Sequence, residues 1–186
     1  MNRFLPVIAV IALITVPANL VQAQPCRQGA FVQPSSETRA YRNQRIGFSF
    51  QLPANYRAMG TSSNRVDVLD PSAFEWTQCI IRNREAAELK VAPVSVEVKP
   101  VANSNNQRTR NLEAIVRANY PWVNGSFRAT RVGNQSGITV SYEEALGGER
   151  VTDVYVLSPN KRNLIRISGP AQGTVLNLAL STFAFK

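Results

Sequence analysis

From Arg45 onward, apolar and polar positions alternate in short bursts. In "RIGFSFQLPANY", Ile46, Phe48, Phe50 and Leu52 alternate with Gly47, Ser49 and Gln51, the period of a strand with one buried face. Pro53 ends the run and "PANY" makes a turn. This stretch is expected to be the edge-forming first strand of a small sandwich. "RVDVLDP" predicts a second short strand, stopped by Pro71. "SAFEWTQCIIRNREAAELK" supports two readings. Glu85, Ala86, Ala87, Glu88 and Leu89 favour a short helix, whereas "TQCIIRN" suits a strand with a following loop. "VAPVSVEVKPV" alternates cleanly, with Val94, Val96 and Val98 inward and Ser95, Glu97 and Lys99 outward.

The period then changes. "ANSNNQ" is a linker that also offers helix N-caps. In "RTRNLEAIVRANYPW", Leu112, Ile115, Val116 and Tyr120 form one apolar helical stripe, closed by Pro121. "SFRATRV", "ITVSYEE", "VTDVYVL" and "LIRISG" return to strand periodicity, separated by "GNQSG", "ALGGER" and "SPNKRN". They predict an antiparallel meander, with Gly147 and Gly148 in one hairpin connection. "TVLNLALSTFAFK" places Leu176, Leu180 and Phe183 at helical spacing and reads as a C-terminal helix. The sum is an α+β fold, a single-domain α/β/α sandwich with a mainly antiparallel sheet, one central helix and a C-terminal helix.

The N-terminus has a different character. A single early charge, Arg3, precedes the 12-residue apolar run "LPVIAVIALITV", and Val21 and Ala23 stand at the positions a signal peptidase reads. Residues 1–23 are expected to be a signal peptide, since the run is shorter than the roughly 20 residues a membrane-spanning helix needs. Pro25 directly before Cys26 argues against lipidation. Residues 24–45 are polar and without period, and read as an irregular arm. Residues 46–186 form the domain.

Export changes the reading of the remaining chemistry. Cys26 and Cys79 are the two cysteines, and an even count in an oxidising compartment, periplasm or thylakoid lumen, favours a disulfide over two buried thiols. It would close a 54-residue loop and contribute roughly 4 kcal/mol in the chain-entropy account. Without Arg3, 20 Lys+Arg face 12 Asp+Glu, a net charge of +8. That balance suits an acidic protein surface, a membrane-associated complex or a peripheral anionic membrane contact, with nucleic acid excluded by the compartment. Arg39, Arg42 and Arg45, with Tyr41, are the densest cationic group and the candidate partner-binding patch. A solvated arm is the plainer reading of the same residues.

The chain has no histidine, which removes Ser-His-Asp and Cys-His mechanisms and imidazole metal sites. The paired carboxylates Asp67/Asp70 and Glu143/Glu144 have no spacing that requires a shared site, and adjacent strand residues point to opposite faces. Trp76 and Trp122 are candidates for a binding platform, packing being the commoner fate of tryptophan. No catalytic residue, metal or cofactor is expected, and the chain is expected to be a monomer.

The organisation resembles the PsbP-like family. "Y-x-N-x-x-x-GFSFQLPANY" from Tyr41, "V-x-V-x-DP" from Val66, a helix after the third strand, the meander and the closing "STFAF" carry the likeness over Tyr41 to Lys186. These proteins are extrinsic to photosystem II, with bacterial relatives, and share their sandwich with DcrB-type proteins. The resemblance implies a non-enzymatic accessory or assembly protein that docks on a membrane-associated complex through basic residues. The alternative class is a periplasmic or lumenal carrier of a small ligand. The family's metal-binding histidines have no counterpart here, so no metal role carries over.

Overall fold

A computed structural model describes residues 25–85, 92–101, 111–123, 125–143 and 150–186. The expected signal peptide, the "ANSNNQ" linker, most of the "EAAEL" segment and most of "ALGGER" lie outside the described residues. The element order is β1 (Thr38–Asn43), β2 (Phe48–Pro53), β3 (Arg57–Ser62), β4 (Arg65–Leu69), α1 (Pro71–Asn83), β5 (Val94–Pro100), α2 (Leu112–Asn119), β6 (Arg128–Val132), β7 (Gln135–Glu143), β8 (Arg150–Leu157), β9 (Asn163–Pro170), α3 (Thr174–Thr182) and β10 (Ala184–Phe185). All strand pairs are antiparallel. They form a three-stranded sheet, β1-β2-β10, and a seven-stranded sheet, β3-β4-β5-β9-β8-β7-β6. The fold is the expected α+β sandwich.

Four local expectations need correction. The arm is not irregular throughout, because Thr38–Asn43 pairs with β2. "TRAYRN" carries no apolar period, as Tyr41 is its one large apolar side chain packed on the core. "RAMGTS" is likewise a strand without a hydrophobic signature, held by pairing with β4. The "GFSFQLP" strand is second in the chain and lies in the middle of its sheet, not at an edge. The last correction concerns the C-terminus, where the helix ends at Thr182 and Ala184–Phe185 pairs with β2. Thr182 Oγ1 accepts from Gln51 N at 2.9 Å, and Lys186 N donates to Gly47 O at 2.8 Å, so the tail is tied to β2.

The ambiguous "SAFEWTQCII" segment is helical. Asp70 caps it by accepting from Ser72 N at 3.0 Å and Ala73 N at 3.4 Å, and Pro71 fits the first turn. Arg84, with φ of 54°, closes it in the left-handed region.

The large sheet is the middle layer. On one face Val94, Val96 and Val98 of β5 and Ile165 and Ile167 of β9 meet α3 and the small sheet. Phe48, Phe50 and Phe183 stack there, with Phe48 and Phe183 centroids 5.2 Å apart. Burying each such side chain contributes roughly 1.5–3 kcal/mol. Gly133, at φ of +55°, turns the β6–β7 hairpin over the end of α3. A Cβ there would lie 1.9 Å from Phe183 O, so only glycine permits this approach. On the opposite face α2 buries Ile115 and Val116 against Val140, Tyr155 and Leu164, while α1 contacts β3 and β4. The strands between α1 and α2 are left open.

Candidate functional site

The open part of that face is paved with polar side chains, and the strand register explains why. Val94, Val96 and Val98 point into the core, so Ser95, Glu97 and Lys99 point the other way. Cross-strand pairing then assembles two rows. Asp67 stands opposite Ser95, Ser95 opposite Ser168, and Ser168 opposite Asp153. In the neighbouring row Arg65 faces Glu97, Glu97 faces Arg166, and Arg166 faces Tyr155. Adjacent strands are about 4.8 Å apart, so the first row sets two serines between carboxylates and the second alternates cation and carboxylate from Arg65 to Arg166, all at contact distance.

Arg166 ties the rows together. Its Nε donates to Asp153 Oδ2 at 2.9 Å and its Nη2 to Tyr142 OH at 3.1 Å, while Nη1 lies 3.6 Å from Glu97 Oε2. Tyr155 OH also donates to Asp153 Oδ2, at 2.9 Å. Glu97 accepts from Tyr120 OH at 3.1 Å and sits 3.4 Å from Lys99 Nζ, which lies over the Tyr120 ring. The Arg166 guanidinium also lies 5.1 Å from the Trp122 ring centroid. Burial by itself would lower the Arg166 pKa. The Asp153 charge and hydrogen bond outweigh it and hold the group above its ordinary value. Burial, followed by the negative charge of Asp153, raises the Tyr155 and Tyr142 phenols. Arg166 is therefore a fixed cation, and the two phenols stay protonated donors at neutral pH.

Above this floor runs a groove of about 770 Å³. α1 forms one wall with Ala73, Trp76 and Thr77, and the arm extends it with Gln28, Gly29 and Phe31. Tyr142 and Val151 border the far side. The arm is fixed at both ends. Cys26 is bridged to Cys79 of α1, with Cα atoms 5.7 Å apart, and Val32 O accepts from Tyr56 OH at 2.9 Å. The expected disulfide is present, and it positions one wall of the groove.

The arginines singled out in the sequence lie apart from this site and divide among different surroundings. Within β1, Arg39 is paired with Leu52, on the side of the strand that carries Tyr41, and its guanidinium donates to Tyr56 O. Arg42 extends from the opposite side of the same strand and is exposed. Arg45 sits beyond the strand end, with its guanidinium 2.6 Å from Ser63 O. Trp122 is 52% exposed and packs edge-on to Tyr142, whereas Trp76 lines the groove. Asp67 accepts from Arg65 and Thr61, and Asp70 caps α1, so these two carboxylates do not form a pair. Glu143 is exposed on β7, and Glu144 lies outside the described residues.

Arg166, Asp153, Ser95, Ser168 and Glu97 were not singled out in the sequence as site residues. One signal was available. Asp153 and Arg166 interrupt the apolar runs "VTDVYVL" and "LIRIS", and a charge in such a strand needs a partner.

No protein-family model matches the sequence, and comparison with curated proteins finds no match. Among solved structures, a Bacteroides thetaiotaomicron protein known from a crystal structure aligns with a TM-score of 0.45 at 10% identity, covering 79% of this chain. The chain spans about half, 48%, of that protein's length. The solution structure of cyanobacterial PsbP from Synechocystis aligns with a TM-score of 0.44 at 14% identity, covering 85% of this chain and 96% of that one. Both are similarities of fold outline, and neither enters the functional reading.

Proposed function

We propose that this chain is an exported, non-enzymatic binding module that holds a small polar ligand in the groove between α1 and the Tyr142–Val151 border. The observation that carries the reading is the groove itself. Its volume lies within the range of ligand sites, and fixed donors and acceptors from five strands converge on its floor. The Cys26–Cys79 bridge and the apolar leader support export. The absence of histidine supports a binding role, as does the engagement of Asp67 by Arg65 and Thr61 and of Asp70 by the first turn of α1.

A second reading is docking on an acidic protein surface or a membrane-associated complex. The charge distribution favours it, since Asp67, Glu97 and Asp153 are turned inward in a chain of net charge +9, and Arg42, Arg128 and Arg131 are exposed. One experiment separates the two readings. The protein is isolated from its own compartment at low salt, with native mass spectrometry of wild type and of a Ser168→Trp variant that fills the groove. A small molecule bound to wild type and absent from the variant is the expected result. A ligand-free chain held to a protein partner that salt releases overturns the groove and supports docking.

A further inference from the structure

Phe31 and Trp76 stand out among the aromatic residues. Apart from core Tyr56, every other aromatic ring among the described residues has an aromatic or cationic neighbour. These two have neither, and both line the groove. Phe31 is 60% exposed and borders the groove. The Cys26–Cys79 bridge ties the arm that carries Phe31 to α1, which carries Trp76.

The charges on the floor beside them are already engaged with one another. Each floor charge already has a partner: Arg65 pairs with Asp67, Arg166 with Asp153 at 2.9 Å, Glu97 with Lys99 at 3.4 Å, and Asp70 accepts from the first turn of α1. An ionic ligand would give up its hydration and find no unpaired counter-charge. A purely apolar ligand would strip water from the charged rows. A peptide backbone seeks the free edge of a sheet, but this groove lies on the face of one and presents side chains. A neutral, hydroxyl-rich ligand meets none of these penalties. Its hydroxyls exchange water for carboxylate, guanidinium and serine partners, and a C–H face can lie on an aromatic ring.

We infer that the groove takes a neutral saccharide, with Phe31 and Trp76 as its stacking platform and Asp67, Ser95, Glu97 and Ser168 as hydroxyl partners. This rests on the binding-groove reading and narrows it. The rows give orientation, since one sets serine hydroxyls between carboxylates and the other alternates cation and carboxylate at strand spacing. The platform stands on α1 and the arm, so it faces the polar floor from one side.

The test is a two-dimensional amide NMR titration of the oxidised protein, followed at the Trp76 indole N–H. The probes are chitohexaose, cellohexaose and maltohexaose as neutral saccharides, hexagalacturonate as an anionic one, and a random hexapeptide library. At least one neutral hexasaccharide is expected to shift Trp76. Phe31→Ala, a change at an exposed ring, is expected to weaken that binding about tenfold and leave the melting temperature unchanged. Arg42→Ala, outside the groove, is expected to change nothing. Shifts from the anionic or peptide probe alone overturn the saccharide and leave the groove reading in place. If no probe shifts Trp76, the saccharide fails, and the groove reading stands or falls on the native mass spectrometry of wild type and Ser168→Trp. Binding that is indifferent to Phe31→Ala overturns the platform.

Discussion

Asp153 lies fully out of water, and through one oxygen it accepts from Tyr155, Tyr142 and Arg166. Its Oδ1 has no hydrogen-bond partner among the described residues. Such a carboxylate is held in place because Arg166 is also largely out of solvent and needs its charge. Asp153→Asn keeps the shape and removes that charge, leaving the guanidinium matched by Glu97 alone at 3.6 Å. Loss of one partner from a buried pair costs about 3–5 kcal/mol. The variant is expected to show a lower urea midpoint at an unchanged slope. Pairing it with Arg166→Met is expected to cost less than the two changes summed, because the second removes the charge the first orphaned.

Among the elements, the arm has the least apolar burial and the most dependence on covalent and polar ties. Residues 27–31 run between the Cys26–Cys79 bridge and the Tyr56–Val32 hydrogen bond, with Phe31 and Val32 exposed. The double change Cys26→Ser, Cys79→Ser is therefore expected to have two separable effects. Global stability falls by roughly 4 kcal/mol as the 54-residue loop opens, read from denaturant unfolding. Amide exchange of residues 27–31 rises far more than that of β2 or β9, because hydrophobic contacts do not replace the bridge. Uniform exchange across arm and core would show that the bridge does not position this wall.

For the molecule as a whole, the unusual feature is its titration behaviour. It has no histidine, so no side chain ordinarily titrates between pH 5 and 8. All five tyrosines are raised, Tyr56 to about 12, by burial and then by the negative charge of Asp70. A phenol whose folded pKa exceeds its ordinary value of 10.0 binds its proton more tightly folded than unfolded. Its contribution is complete below pH 10 and is lost as pH rises through the folded value. Stability is accordingly expected to hold level across neutral pH and to fall from about pH 10 upward. Tyrosinate absorbance in the folded chain is expected to rise later than in the urea-unfolded chain, and tyrosinate formed at about pH 10 in a still-folded chain would contradict this account.

Much of the architecture was legible in the chain. The phases of β2, β5 and β7 to β9, the α2 stripe and the Cys26–Cys79 pairing were all legible from periodicity and an even cysteine count, because burial on one face imposes a period and two cysteines leave one pairing to form. β1 and β3 were not legible, since their polar residues are strands only by virtue of the neighbours they pair with. The groove was not legible either. A period-two pattern says which side chains share one face of a strand, but not which strand lies beside it. Asp67, Ser95, Ser168 and Asp153 meet because the order β4-β5-β9-β8 brings distant segments together. The sequence by itself determined which residues turn away from the core; tertiary pairing decided that those residues meet across β4, β5, β9 and β8 beside α1, because only the strand order sets which side chains become neighbours.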